Sequence, residues 1–197
     1  MINKAIMSIA IIIICIGYVI GSYNSLISHD EAVKQGWGNL ETTLQRRLDL
    51  IPNLVQIVKA YSAYEAETLQ KIVEGRANAT SIKIDVSSSG GQEALQKYQQ
   101  IQNQLSGSLN KLIAVAENYP NLKASETYRD LLSQLEGIEN RINIARQNYN
   151  NEVKEYNYSL RKFPNSLINK LFLNLTEKNF LIADSTAGVV PKIDFNK

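Results

Sequence analysis

The chain has a single cysteine, Cys15, and a single histidine, His29. One cysteine excludes an intramolecular disulfide, and the two residues together cannot supply the three or four Cys and His ligands of a structural zinc site. The 197 residues include only four prolines and ten glycines, gathered at a few points, so most of the sequence carries nothing that would stop a helix. The formal net charge of +2 is too small to bind nucleic acid by bulk electrostatics. Gly90-Gly91 is not followed by the lysine–serine pair of a phosphate loop, and no nucleophile or acid partner accompanies His29. Glu136 and Glu139 lack the Glu-x-x-His companions of a di-iron bundle. These absences argue against an enzyme, a metal and a cofactor.

What is present begins with an uncharged run from Ala5 to Gly21, dense in isoleucine and preceded by Lys4. About 17 to 25 apolar residues cross a bilayer, so residues 5–21 read as a short lipid-spanning anchor. A cleaved signal peptide shares the positive start and apolar core, but no good small-x-small site follows. A lipoprotein would acylate Cys15, yet bulky Ile14 precedes it. The basic residues nearest the run place the amino end inside and the body outside; widening the window to Arg46 and Arg47 removes that preference.

Beyond the anchor, Ser28-His29-Asp30-Glu31 has the spacing of a capping box, and so of a helix start. Val33, Trp37, Leu40, Leu44, Leu48, Ile51, Leu54, Val58, Tyr61, Leu69 and Ile72 then recur in helical steps. They predict a helix from about Asp30 to Ala79, roughly 75 Å long. Trp37, between Gly36 and Gly38, reads as a core anchor, with an interfacial position as the alternative; the glycines permit close helix approach. Pro52 interrupts the stripe, predicting a kink or two helices meeting. It frees the carbonyl of Leu48, which an arginine such as Arg46 or Arg47 could serve. Arg46, Arg47 and Asp49 otherwise read as a solvated charged face, or as a docking patch together with Asn53.

Thr80 to Gly91 breaks the pattern and reads as a loop at the tip farthest from the membrane, with a short extended piece at Ile82, Ile84 and Val86. A second helix, about Gln92 to Tyr119, carries Leu95, Tyr98, Ile101, Leu105, Leu109 and Leu112 and is ended by Pro120. The third, about Ser125 to Lys162, has a heptad seam at Tyr128, Leu135, Ile142, Tyr149, Tyr156 and Phe163, which predicts gently supercoiled packing. Tyr149 and Tyr156 need hydroxyl partners if buried; Asn150 and Asn157 follow them as a repeated packing device. Glu139, Asn140 and Arg141 lie on the flank. Phe163-Pro164 ends the helix, Ser166 to Leu175 reads as a short amphipathic helix capping the bundle or lying on the membrane, and residues 176–197 as an extended tail packed partly back. The expected class is all-α: an N-terminal transmembrane helix (residues 1–24), an antiparallel bundle of three to four long helices (25–175) and the tail.

The stretch Leu44-Gln-Arg-Arg-Leu-Asp-Leu-Ile-Pro-Asn-Leu-Val55 resembles the signature of the LemA family of bacterial membrane-anchored helical proteins. Further matches follow in order: Tyr23-Asn24, Trp37, Val58-Lys-Ala-Tyr61 with Glu65, Glu117-Asn-Tyr-Pro-Asn-Leu-Lys-Ala124, Gln134-Leu-Glu-Gly-Ile-Glu-Asn-Arg-Ile142, Tyr149-Asn150, Tyr156-Asn157, Phe163-Pro164 and Pro191-Lys-Ile-Asp-Phe195. The resemblance implies a helical fold at a bacterial inner membrane and supplies no reaction. The expected partners are the bilayer, through residues 5–21, and an envelope or membrane protein, with self-association left open. The leading reading is a non-enzymatic tethered scaffold. The alternatives are an apolar-ligand carrier or sensor, hinted at by tyrosines on core faces, and an accessory factor of a membrane protease, which only the resemblance suggests.

Overall fold

Ile2 to Tyr61 is one α-helix, α1, 60 residues long. The computed structural model describes residues 2–61, 66–82, 84, 86 and 91–181. Helix α1 passes through Ser28–Glu31 without interruption. A capping box wins only where preceding backbone N–H groups lack partners; here the turn before Ser28 is already helical, and no helix begins there.

The helix expected to reach Ala79 ends instead at Tyr61, and α2 occupies Ala66–Ser81. The Nε of Arg76 donates to the carbonyl of Leu48 at 2.9 Å. In one continuous helix those residues would stand about 42 Å apart, so α2 runs back antiparallel to α1. No glycine or proline stands between Tyr61 and Ala66, which is why the sequence does not announce the reversal. Residues 62–65 lie outside the described residues. The connection after Ser81 therefore leaves from beyond the level of Leu48, and not from the far tip. Ile82, Ile84 and Val86 form no strand; Ser87 to Gly90 lie outside the described residues.

Helix α3 is Gly91–Ala116, and a five-residue helix, α4 (Pro120–Ala124), joins it to α5, Glu126–Arg161. Pro120 does not end α3, which has already stopped at Ala116. It opens α4, where its missing N–H costs nothing. Leu122 is wholly buried in this corner, Lys123 pairs with Glu117, and the Ser125 hydroxyl accepts from the Tyr128 N–H at 3.4 Å.

By compactness the chain falls into two units. Residues 182–197 of the expected tail lie outside the described residues. Among the described residues the second unit comprises 47–61, 66–82, 84, 93–136, 180 and 181. Its core joins Leu48, Ile51, Leu54 and Val58 of α1, Leu69 and Ile72 of α2, Leu105, Leu109 and Leu112 of α3, and Tyr128, Leu131 and Leu135 of α5. Burying each such aliphatic side chain contributes about 1.5–3 kcal/mol, which is ample to hold four helices together. The fourth helix arises from the reversal before Ala66, while α1 remains helical through Pro52.

That proline makes Arg76 more than a packing residue, because the Leu48 carbonyl it serves is the acceptor Pro52 leaves without its usual donor. The sequence named Arg46 and Arg47 as candidates for this carbonyl, but the donor comes from α2. Arg76→Ala is expected to cost about 1.5–3 kcal/mol, the value of a charged hydrogen bond. In a Pro52→Ala background the cost should shrink, since the restored amide then serves Leu48. A urea-denaturation double-mutant cycle checks this, and additivity of the two changes would refute the linkage.

Among the described residues the first unit comprises 2–46, 86, 91–92 and 137–179. Here α1 and α5 run antiparallel, with Gly36 so close to α5 that a Cβ on it would lie 3.3 Å from the Tyr149 Cα. Gly38 has open space around it, so only one of the two glycines serves close approach. The heptad seam of α5 is buried at Ile138, Ile142, Tyr149, Val153, Tyr156 and Leu160, but it stops before Phe163, which is 81 % exposed. The expected short helix is an α-turn, α6 (Asn165–Ile168), followed by a π-helical turn, Asn169–Leu173. Asn174 closes it in the left-handed region at φ 52°, a conformation asparagine tolerates better than most residues.

Candidate functional site

After Asn174 the chain runs as an extended strap along α5. The hydroxyl of Tyr156 donates to the Thr176 carbonyl at 3.0 Å, and that of Tyr149 to the Asn179 carbonyl at 3.3 Å. The strap therefore runs antiparallel to α5. Its spacing matches the helix: one heptad rises about 10.5 Å, and three extended residues cover about 10 Å. Two tyrosines seven residues apart on a helix thus meet carbonyls three residues apart on an extended chain.

Asn157, next to Tyr156, grips the strap between those two carbonyls, at both polar backbone groups of one residue. Its Nδ2 donates to the Lys178 carbonyl at 2.8 Å, and its Oδ1 accepts from the Lys178 N–H at 2.9 Å. The side-chain amide replaces a neighbouring β-strand. Asn169 repeats the arrangement on Leu175, donating at 2.9 Å and accepting at 2.8 Å. Asn165, also buried, donates to the Ser159 hydroxyl at 2.9 Å.

The strap delivers one charge inward. Lys178 Nζ pairs with Asp30 of α1 and lies 4.7 Å above the Tyr156 ring. Lys34 holds the other Asp30 oxygen at 2.8 Å. Burial opposes the Asp30 carboxylate, but hydrogen bonds and charge attraction from Lys178 and Lys34 outweigh it, so its pKa lies below the usual value. Lys34, hydrogen-bonded to Asp30 and Glu31, is held above the ordinary lysine value. Burial pushes Tyr149 and Tyr156 up to about 12 each. At neutral pH both phenols keep their protons and act as hydrogen-bond donors. The Trp37 and Tyr149 rings meet edge to face, with centroids 5.8 Å apart, which places Trp37 in the core.

Of the positions singled out from the sequence, Trp37, Tyr149, Tyr156 and Asn157 come together in this clamp, with Asn150 half-buried on the same helix. Glu139, Asn140 and Arg141 are exposed on α5. Arg46 and Arg47 part company. Arg46 is exposed, whereas Arg47 is only 3 % exposed, so the solvated charged face expected of both holds for one. Arg47 donates to the Ser106 hydroxyl at 2.7 Å and to the Gln102 side-chain carbonyl. Asp49, Pro52 and Asn53 are exposed. Asn53 lines a groove of about 480 Å³ between α1 and α5 of the second unit, with Gln56, Thr127, Asp130 and Gln134. Sequence reasoning missed Asp30, Lys178, Asn169 and Gln102. Among the described residues no three His, Cys, Asp or Glu side chains come together.

The model of the LemA family matches residues 36–195. The chain belongs to the LemA family. No curated protein sequence matches it. The LemA match begins at Gly36, after the apolar run and after Asp30, and it takes in every α5 and strap residue of the clamp. The first helix of this LemA-family chain is long and apolar enough to cross a membrane near its amino terminus.

Proposed function

We propose that this chain is a non-enzymatic scaffold of the bacterial envelope, which crosses the inner membrane once and holds a partner protein beside it. The observation that carries the reading is the continuity of α1. Ile6, Met7, Ile9, Ile11 to Ile14, Ile16 and Ile20 are exposed all round the helix, as suits a lipid-facing segment, and the same helix continues unbroken to Tyr61. An anchor joined to the folded body without a linker fixes that body at the bilayer. The clamp supports this role, since its tyrosines and amides are engaged in holding backbone and its charges in pairing with one another. The groove at Asn53, which Leu50, Ile57 and Leu131 line together with the polar side chains, offers a docking face for an amphipathic peptide segment. We read the body as lying outside the cytoplasm, a reading that the charges nearest the anchor support.

The test is complementation of a deletion strain. Replacing residues 1–24 with an unrelated membrane helix, in the same register, should retain function, and deleting them should abolish it. Single changes His29→Ala, Glu136→Gln and Glu139→Gln should all complement. Loss of function through one such change, with folding intact, would replace the scaffold reading with an enzyme.

A further inference from the structure

We propose that Lys162 to Phe172 forms a second membrane contact, an apolar collar seated in the headgroup layer of the bilayer that α1 crosses. The inference rests on reading residues 5–21 as a membrane span. Four large apolar side chains here face outward: Phe163 at 81 %, Leu167 at 49 %, Leu171 at 62 % and Phe172 at 61 % exposure. The inward side of the same turns is taken by Asn165 and Ile168, which are buried. This segment therefore already caps its unit with one side and presents the other.

The position of the collar along α1 names the occupant. Gly36 lies against Tyr149. Closer to the membrane, Asp30 pairs with Lys178, whose backbone Asn157 grips. Following both helices from the Gly36–Tyr149 contact, Tyr23 lies about 20 Å along α1 and Phe163 about 21 Å along the α5 direction. The collar is therefore level with the end of the apolar run. Burial marks the same boundary: Ser22 and Leu26 are covered by protein, while Gly21 and the isoleucines from Ile6 to Ile20 are exposed. Protein cover stops where the lipid-facing surface begins. The apolar run of 17 residues, Ala5 to Gly21, is about 26 Å long, less than the roughly 30 Å hydrocarbon core. A span that short draws the base of the unit down to the headgroups. The rim suits that layer: Lys162 lies 5.7 Å over the exposed Tyr158 ring, Lys170 is exposed, and Tyr18 and Tyr23 are exposed on α1. Aromatic and basic side chains favour this depth.

The test uses the full chain with Cys15→Ser, reconstituted in phosphatidylcholine–phosphatidylglycerol vesicles. Single cysteines, introduced one at a time by Leu171→Cys, Phe163→Cys, Ile13→Cys and Glu139→Cys, carry an environment-sensitive fluorophore. Lipids spin-labelled at a shallow or a deep acyl position act as quenchers. Shallow-lipid quenching at 171 and 163 should be several-fold larger than at 139, and deep-lipid quenching should be strongest at 13. Quenching at 13 without quenching at 171 or 163 overturns the collar and leaves the span standing. No quenching at 13 removes the span, and the collar with it. A shift at 171 that follows protein density and not lipid quencher would mean that a second copy covers the patch, which also overturns the proposal.

Discussion

Replacing Tyr149 with alanine should remove about 3–5 kcal/mol of stability, the usual loss for a buried aromatic side chain. The position leaves little room for relaxation. Tyr149 is 1 % exposed, it meets the Trp37 ring edge to face, and its backbone is pressed against Gly36. Tyr149→Phe keeps the ring and loses only the hydroxyl bond to the Asn179 carbonyl, so it should cost about 0.5–1.5 kcal/mol. Trp37 is the only tryptophan and sits at the site, so its fluorescence during chemical unfolding of the detergent-solubilised chain reads both variants. A Tyr149→Ala cost below about 1 kcal/mol would mean that the cavity collapses freely, which the Gly36 contact argues against.

The second large effect lies in the other unit and has an unusual sign. Gln102→Leu should cost about 3 kcal/mol, because it takes a carbonyl acceptor from the buried Arg47 guanidinium. Adding Arg47→Met should restore most of that loss, since a buried charge replaced together with its partner by apolar groups of similar volume is often neutral. Urea midpoints of the two single variants and the double measure it. A double variant no more stable than Gln102→Leu alone would show that Ser106 and the surrounding packing, and not the Gln102 carbonyl, determine the cost. A stable double variant that fails to complement would separate a functional use of Arg47 from its structural cost.

Much of this could be read from periodicity, and the exceptions have a common form. The stripe through Leu48, Ile51, Leu54 and Val58 and the seam through Tyr128, Leu135, Ile142 and Tyr149 are local patterns, and each is buried as its spacing implies. The reversal between Tyr61 and Ala66 was hidden because the apolar stripe resumes in α2 with no glycine or proline to mark the break. Arg46 and Arg47 look alike in sequence; only the α3 side chains of Gln102 and Ser106, more than fifty positions later, distinguish them. The Tyr149 and Tyr156 hydroxyls could be said to need acceptors, but their acceptors are backbone carbonyls, which carry no residue signature. Asp30 and Lys178 meet across 148 positions, and nothing near either residue announces the other. The clamp was half legible, in the residues that grip and not in the chain that is gripped.

The unbroken course of α1 also fixes an azimuth. An α-helix turns about 100° and rises about 1.5 Å with each residue. On the proposed reading of the isoleucine run as a membrane span, with no flexible joint between it and Trp37, the number of residues in the membrane sets the compass bearing of the first unit about the bilayer normal. One residue gained or lost near Gly21 would swing every outward face of that unit by more than a quarter turn while scarcely changing its height. A neighbour confined to the same plane of lipid would then meet a different face, so the length of the anchor encodes a direction as well as a depth.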